Sequence, residues 1–243
     1  MKGPIVQSLW VGSRLSAMER MTIQSFLASG HVFHLYCYDS ISGVPAGTEL
    51  MDAAAILPRE RIFTYQSGFA AGSPAAFSNF FRYKLLLERG GWWVDTDVIC
   101  LRPFDIPNEE VWTSEFQDPP LGPIVSTSVM RAQAGNQIMA WVWDKCQQVD
   151  TGAVMFGQIG PRLLQAALDA LQTRARWPPK SFSPIPFFDW RKMLDPSQRF
   201  SFDADVYGVH LWNQMWSAEG VDKDRSFPGD CLYEQLKRRF ASA

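Results

Sequence analysis

Two acids in one short apolar segment are the residues of this chain best suited to chemistry. Asp95 and Asp97 interrupt a strand-like run over residues 92–101, and residues two apart in a strand project from the same face. Carboxylates that lie side by side away from water repel each other, and a divalent cation such as Mn²⁺ or Mg²⁺ relieves that repulsion. The pattern therefore predicts a metal site, with a solvated pair of surface acids as the alternative.

A second pair of polar residues, Asn79 and Arg82, precedes these acids. They lie three residues apart on a helix predicted between an N-terminal Ser-Pro and a C-terminal Gly-Gly, so they share one face. Because the two glycines reverse the chain, we expect this face to lie near the acids. An amide and a guanidinium beside a bound cation could hold a diphosphate and a hydroxyl-rich ligand. The alternative for Arg82 is a salt bridge to Asp95 or Glu88.

The elements that must position these residues begin with a predicted βαβ unit. It consists of a strand over residues 4–11, a helix capped at Ser16 and a strand over residues 31–38. Such a unit implies a parallel sheet whose ligand crevice lies at the carboxyl ends of the strands. A short helix over residues 48–57 and a strand over residues 61–65 are expected to continue the alternation.

The remainder of the chain predicts a single α/β domain without repeats or a low-complexity linker. We expect strands over residues 111–114, 124–130 and 206–212, and helices over residues 136–149 and from Pro161 onward. His31 and His34 lie in the second strand, and we expect both to be structural.

Charge and composition exclude several classes of function. The 243 residues include 23 Lys+Arg and 25 Asp+Glu, and this balance lacks the basic surface of nucleic-acid-binding proteins, so no nucleic-acid partner is expected. The short basic cluster Lys237-Arg238-Arg239 is either a solvated helix end or a weak contact with an anionic membrane.

The location expected from the sequence is cytoplasmic, with peripheral attachment to the inner face of the membrane as an option. The first residues contain no apolar signal-peptide core, and no apolar run approaches 18 residues. The four cysteines lie singly, without a C-x-x-C pair, which favours reduced thiols.

The run from Ser73 to Asp97 resembles the sugar-binding region containing the DXD motif of family 32 glycosyltransferases. It is also similar to the core of the clostridial glucosylating toxins and of eukaryotic α-1,4-glycosyltransferases. The shared elements are an S-D/N-x-x-R-Y helix, a G-G turn and a D-x-D strand, in that order. Shorter similarities lie at residues 7–12, 36–39, 157–164 and 210–216.

This resemblance implies a Rossmann-like GT-A fold with a mixed, mainly parallel sheet. The implied activity is transfer of a sugar, with retention, from a UDP- or GDP-sugar to a glycan or glycoconjugate acceptor, in bacterial surface polysaccharide or glycoconjugate synthesis. Residues 1–105 would form the half that binds the nucleotide-sugar. Residues 106–243 would form the acceptor half, with a His/Trp segment near the C-terminus.

The resemblance also implies roles for individual residues. Asp97 would bind the metal directly, while Asp95 would contact the donor ribose and reach the metal through water. His210 would approach the metal and diphosphate from the C-terminal segment, and Arg82 would contact donor sugar or phosphate oxygens. The base would lie against Leu9, Trp10, Val11 and Tyr38. Asn79 and Trp212 would be further donor-binding positions, with Trp216 another residue to test near the donor.

One departure from the family concerns the donor sugar. Many members carry Asp at the position of Asn79, and an amide offers hydrogen bonds without negative charge. We expect this difference to affect the choice of donor sugar; the alternative is a catalytically silent protein that binds nucleotide-sugars. Glu115 is a candidate for the acceptor side, with an ordinary surface acid as its alternative.

Overall fold

A mixed sheet forms the centre of the fold in the computed structural model, which describes residues 3–240. Its strands are β1 (Ile5–Trp10), β2 (Val32–Cys37), β3 (Glu49–Asp52), β4 (Gly91–Val94), β6 (Val111–Glu115) and β7 (Ile124–Ala132). They lie in the order β3-β2-β1-β4-β7-β6. The first four are parallel to one another, and β7 is antiparallel to both of its neighbours. The predicted mainly parallel sheet is therefore confirmed.

The βαβ unit forms as its sequence predicts. Helix α1 (Ala17–Ala28) begins at Ser16, whose side chain accepts a hydrogen bond from the helix while Glu19 accepts one from the Ser16 backbone. This reciprocal pair satisfies donors that a helix start otherwise leaves free. The helix returns the chain so that β2 pairs in parallel with β1 along the full length of both strands.

The predicted helix over residues 48–57 and the strand over residues 61–65 are wrong. Residues 49–52 form the third parallel strand, β3, and two three-residue helical turns, Ala53–Ala55 and Arg59–Arg61, follow it. The Asp52 side chain caps the first turn by accepting a hydrogen bond from the Ala54 backbone. Pro58 then disfavours helical backbone before it, and residues 62–65 run to the next helix without pairing in a sheet.

Helix α2 (Ala75–Arg89) carries the predicted polar pair. Pro74 lies at its N-cap rather than in its first turn. Gly90 ends the helix in the left-handed region, with a φ of 64°. A Cβ at Gly90 would lie 2.5 Å from the Ala134 backbone nitrogen, so the close return of the chain excludes a side chain there.

The predicted strand over residues 92–101 is two strands in different sheets. Strand β4 ends at Val94, and β5 (Val98–Cys100) pairs with β8 (Gly208–His210) in a separate two-stranded sheet. Between them the Val98 backbone donates a hydrogen bond to the Asp95 carbonyl and closes a turn. The expectation that Asp95 and Asp97 project from one face of a continuous strand is therefore wrong.

The remaining α-helices fall into two groups by the apolar cores that they join. They are α3 (Gln137–Gln147), α4 (Pro161–Ala170), α5 (Asn213–Ala218) and α6 (Leu232–Phe240). Helices α2, α3 and α4 share one apolar core, while α1, α5 and α6 contribute to a second. The segments predicted for β6, β7, α3 and α4 are confirmed, and β8 is shorter than the predicted strand over residues 206–212. Within residues 3–240, none of the helices has the length and apolar character needed to cross a membrane.

Candidate active site

Two carboxylates and one imidazole meet at the edge of the main sheet where β1 and β4 end. One potential ligand atom from each of Asp95, Asp97 and His210 lies within 4.8 Å of the others. The turn after β4 brings the two acids together, and the pairing of Val98 with His210 brings the histidine beside them. The convergence predicted from the sequence is present, but a turn and a second sheet produce it.

Asp97 is held on one side only. Its Oδ2 accepts a hydrogen bond of 2.7 Å from the Asn213 backbone and lies 3.3 Å from His210 Nε2. Its Oδ1 makes no hydrogen bond within residues 3–240. Burial alone would raise the pKa of this carboxyl, but His210 and the Asn213 hydrogen bond outweigh it and lower the pKa. Asp97 therefore offers an ionised oxygen with an open coordination position.

His210 faces Asp97 and keeps one ring nitrogen unpaired. Burial lowers its pKa, but the charge and hydrogen bond of Asp97, together with the charges of Glu115 and Asp95, raise it, and the net pKa lies above its ordinary value. Its Nδ1 is buried without a hydrogen-bond partner in the described residues. The Trp212 ring lies 3.8 Å from the imidazole, centroid to centroid, and limits its movement.

Trp212 has a strained backbone that serves this geometry. Its φ of 60° and ψ of 48° lie in the left-handed region, which is rare for a bulky residue. The bend it makes precedes α5 and directs the next backbone N–H, that of Asn213, at Asp97. The Trp212 indole donates to the Ile185 carbonyl, and Trp216 is fully buried with its indole bonded to Leu211. Trp216 is thus a core residue away from the site surface.

Asp95 is held by two partners, Arg82 and Trp93. Arg82 contacts both its oxygens at 3.0 and 3.4 Å, and the Trp93 indole donates a hydrogen bond of 2.8 Å. Burial raises the pKa of Asp95 above its ordinary value, and the neighbouring Asp97 adds to that effect against the opposing charge of Arg82. The two acids therefore differ electrostatically, although the sequence presents them as equivalent.

Arg82 is saturated by partners inside the protein. Besides Asp95, its guanidinium donates to the Ser78 carbonyl and hydroxyl and to the Thr127 carbonyl. The guanidinium carbon of Arg82 lies 4.8 Å from the centroid of the Trp93 ring. The salt bridge weighed for Arg82 from the sequence is thus present, with Asp95 as the partner. Its direct contact with donor oxygens stays a prediction.

Asn79 lies one turn before Arg82 on α2 and faces the start of α4. Its amide nitrogen donates to the Ala75 carbonyl, while its Oδ1 is buried without a partner in the described chain. A Cβ at Gly160 would lie 3.3 Å from the Asn79 nitrogen, so this glycine makes room for the amide. The contact between Asn79 and Gly160 could not be read from the sequence, because the two residues lie far apart along it.

The residues predicted to bind the base lie at the carboxyl ends of two paired strands. Leu9 and Trp10 end β1, and Val11 follows them; Tyr38 follows β2, which pairs beside β1. The Tyr38 hydroxyl donates to the Leu57 carbonyl. The Trp10 indole nitrogen is buried without a partner within residues 3–240. These four residues thus share one edge of the sheet with the acid cluster.

Glu115 lies at the end of β6 and faces the same region. Its Oε2 accepts a hydrogen bond of 2.6 Å from the Ser126 hydroxyl. Burial raises its pKa, and the carboxyl is electrostatically coupled to His210, Asp95 and Asp97. Glu115 therefore differs from the ordinary surface acid that was its alternative.

Sequence reasoning missed several residues that hold the site together. Ser78, Trp93, Thr127 and Asn213 bind the acids or Arg82, and Lys223 bonds to the Asn213 side chain.

The basic cluster at the C-terminus is largely paired, since Lys237 contacts Glu234 and Arg238 contacts Asp230.

Comparison with known proteins identifies the class of this chain. Residues 45–115 match the family described as "Glycosyltransferase sugar-binding region containing DXD motif", and residues 155–240 match the "Alpha 1,4-glycosyltransferase conserved region". The first match contains both acids and Arg82, and the second contains His210. The chain is therefore a glycosyltransferase enzyme, as the resemblance predicted. The two matches support the resemblance to family 32 glycosyltransferases, while the relation to the clostridial toxins stays a prediction.

One solved glycosyltransferase structure supports the GT-A fold. The PaToxG glycosyltransferase is 12% identical with a TM-score of 0.51, over 99% of this chain and 85% of that one. The apo-form glycosyltransferase GlyE of Streptococcus pneumoniae TIGR4 is 13% identical with a TM-score of 0.48, over 99% and 63% of the two chains. A glycosyltransferase involved in glycosylation of the major capsid of PBCV-1 is 12% identical with a TM-score of 0.47, over 89% and 99%. No curated protein matches the chain in sequence.

Proposed function

We propose that this glycosyltransferase is metal-dependent and transfers a sugar, with retention, from a UDP- or GDP-sugar to a glycan or glycoconjugate acceptor. The observation that carries the proposal is the convergence of Asp95, Asp97 and His210 within 4.8 Å. Retention follows from the family 32 resemblance. The proposed setting is cytoplasmic synthesis of polysaccharide or glycoconjugate, with peripheral membrane attachment as an option.

The three residues fit a divalent cation of the Mn²⁺ or Mg²⁺ type. Two carboxylates and an imidazole are a suitable donor set. His210 Nδ1 is buried without a partner in the described chain, and the contacts of Asp97 with Asn213 and His210 use its Oδ2. When bound, such a cation supplies positive charge to the departing diphosphate. The lowered pKa of Asp97 keeps its carboxylate ionised for this purpose.

The two acids have different proposed tasks. Asp97, with its open Oδ1, is the direct ligand. Asp95 is fixed by Arg82 and Trp93, which suits a residue that positions the donor ribose and contacts the metal through water. Arg82 holds Asp95 in place and places its positive charge beside the developing negative charge of the leaving group.

The donor lies across the carboxyl edge of the sheet in this proposal. Leu9, Trp10, Val11 and Tyr38 contact the base, and Trp212 lies beside the histidine ligand. Asn79 binds donor-sugar hydroxyls through its unpaired Oδ1. Residues 1–105 supply most of this nucleotide-sugar site in the proposal, and the C-terminal His/Trp segment completes it.

The acceptor half comprises residues 106–243, and Glu115 marks its contact with the site. The raised pKa of Glu115 suits a carboxyl that exchanges a hydrogen bond or a proton with an acceptor hydroxyl. In a front-face retaining route, the departing diphosphate helps to deprotonate that hydroxyl, so no carboxylate nucleophile is required.

Thermal unfolding with UDP-, GDP- and ADP-sugars, each with Mn²⁺ or with EDTA, tests the donor site. A ligand at about 100 times its dissociation constant adds about 2.7 kcal/mol of stability. We expect a Mn²⁺-dependent shift with one base that disappears in Asp97→Ala and persists in Asp144→Ala, which changes an exposed acid. A shift that survives Asp97→Ala would contradict the metal assignment.

A turnover measurement distinguishes an active enzyme from a catalytically silent protein that binds nucleotide-sugars, the alternative suggested by Asn79. The enzyme releases free nucleoside diphosphate from the donor that gives the thermal shift, slowly with water as acceptor and faster with the correct acceptor. Binding with no release over hours would support the silent binder instead.

A further inference from the structure

Lys223 lies between the two parts of the proposed donor site. Its Nζ is 2.9 Å from the Asn213 side-chain oxygen, and the backbone of the same Asn213 donates to Asp97. On its other side, Nζ lies 6.0 Å from the centroid of the Trp10 ring at the end of β1. The ammonium group is therefore adjacent both to the acid cluster and to the strand end proposed to bind the base.

The position of Lys223 is set by its surroundings. Its carbonyl accepts a hydrogen bond from the Tyr233 hydroxyl, and the neighbouring Asp224 accepts one from the Ala17 backbone at the start of α1. These two hydrogen bonds hold the main chain in place at residues 223 and 224. The long side chain keeps the freedom to change partner.

The present partner of Lys223 is a buried carboxylate. Glu19 is 1% exposed and lies 2.5 Å from Nζ. Its other oxygen closes the capping box by accepting from the Ser16 backbone. Lys223 itself stays 18% exposed, so a ligand that enters the crevice can compete with Glu19 for the ammonium group.

We propose that Lys223 is the diphosphate-binding cation of this enzyme, and that it exchanges Glu19 for phosphate oxygens when a nucleoside diphosphate binds. The inference rests on the proposed function. Arg82, the other cation beside the acids, has its N–H groups engaged within the protein. The unpaired Trp10 indole N–H provides a second donor on the same side of the crevice.

Electrostatics favours the exchange. A diphosphate carries more negative charge than a single carboxylate and presents several acceptor oxygens to an ammonium group that can donate three hydrogen bonds. In the free protein, the Lys223 charge helps to lower the pKa of Asp97. The same charge, beside the metal ligands, would stabilise the diphosphate as it leaves.

Two substitutions with opposite expected effects test the exchange. Isothermal titration with UDP and GDP, in the presence of Mn²⁺, gives the dissociation constants. Lys223→Met is expected to weaken binding at least about tenfold, because a charge-assisted hydrogen bond is lost. Glu19→Gln keeps the capping box but removes the competing charge, so binding is expected to tighten.

The double variant Glu19→Gln/Lys223→Met controls for stability, because Lys223→Met alone leaves a buried carboxylate unpaired. If the double variant binds the nucleoside diphosphate as tightly as Glu19→Gln alone, the proposal for Lys223 is overturned. A matching loss of affinity for Mn²⁺ alone would also overturn it, since that result indicates a displaced Asp97. Should the unmodified protein bind neither UDP nor GDP with Mn²⁺, the proposed function fails and this inference fails with it.

Discussion

Replacing Arg82 by Met should destabilise the protein chiefly through Asp95. The guanidinium contacts both oxygens of that carboxylate, and the two side chains are 4% and 25% exposed. Removing one partner of a buried ion pair costs about 3–5 kcal/mol, because a charge stays buried without compensation. Asp95 retains the Trp93 hydrogen bond and some contact with water, so we expect the lower end, about 3 kcal/mol.

The expected loss corresponds to a fall in Tm of about 6–12 °C, at about 2–4 °C per kcal/mol for a chain of this size. Urea unfolding at pH 7.5 measures the free energy of unfolding for four proteins: the unmodified chain, Arg82→Met, Asp95→Asn and the double variant. In the Asp95→Asn background, the arginine loses only neutral partners and its removal should cost about 1–1.5 kcal/mol.

The pH dependence of the same variant provides a second check. Burial raises the pKa of Asp95, and an unpaired carboxylate takes up a proton more readily still. The difference in free energy of unfolding between Arg82→Met and the unmodified chain should therefore become smaller as the pH falls from 7.5 towards 5. If Arg82→Met costs as much in the Asp95→Asn background as in the unmodified chain, Arg82 does not act through Asp95 and the reasoning is refuted.

Three further predictions follow from individual contacts. His210 has a raised pKa, because Asp97, Glu115 and Asp95 together outweigh the opposing effect of burial. Since a protonated imidazole cannot coordinate metal, Mn²⁺ affinity should rise about tenfold per pH unit up to that pKa, and a pH titration of Mn²⁺ binding to His210→Gln should lose this slope. Gly160→Ala places a methyl group 3.3 Å from the Asn79 amide nitrogen. The ratio of kcat/KM between donor sugars should therefore change, while the Kd for the nucleoside diphosphate stays constant. An unchanged ratio would count against Asn79 as a donor-sugar contact. Burial lowers the pKa of His31, whose Nε2 accepts from the Phe104 backbone, so its stabilising contribution is present above pH 6.5 and lost as the pH falls; the urea midpoint of His31→Gln should depend less on pH between 7.5 and 5.

Local sequence signals predicted the parts of the fold that short stretches of chain decide. The capping box at Ser16 and the two glycines after α2 act over a few residues, so their effects are legible from residue types alone. Short runs rich in β-branched and aromatic residues, each closed by a turn signal, predicted β1 and β2 for the same reason. Residues 49–65 were misjudged because an exposed edge strand has little apolar pattern, and its pairing with β2 decided its structure.

The chemical identity of the site was also determined by the sequence. The order of Asn79, Arg82, Asp95 and Asp97 along the chain pointed to the correct class of enzyme before any geometry was known. Residue types set which atoms can bind a cation or donate a hydrogen bond, and folding does not change them.

Only the tertiary structure decided how those groups act on one another. The backbone of Asn213 bonds to Asp97 across 116 residues of sequence, and the pairing of β5 with β8 places His210 beside it. The difference in pKa between Asp95 and Asp97, and the position of Lys223 against Glu19, arise from burial and from neighbours that are distant along the chain. Electrostatic interactions depend on distance and solvent exposure, and a linear sequence specifies neither until the chain has folded.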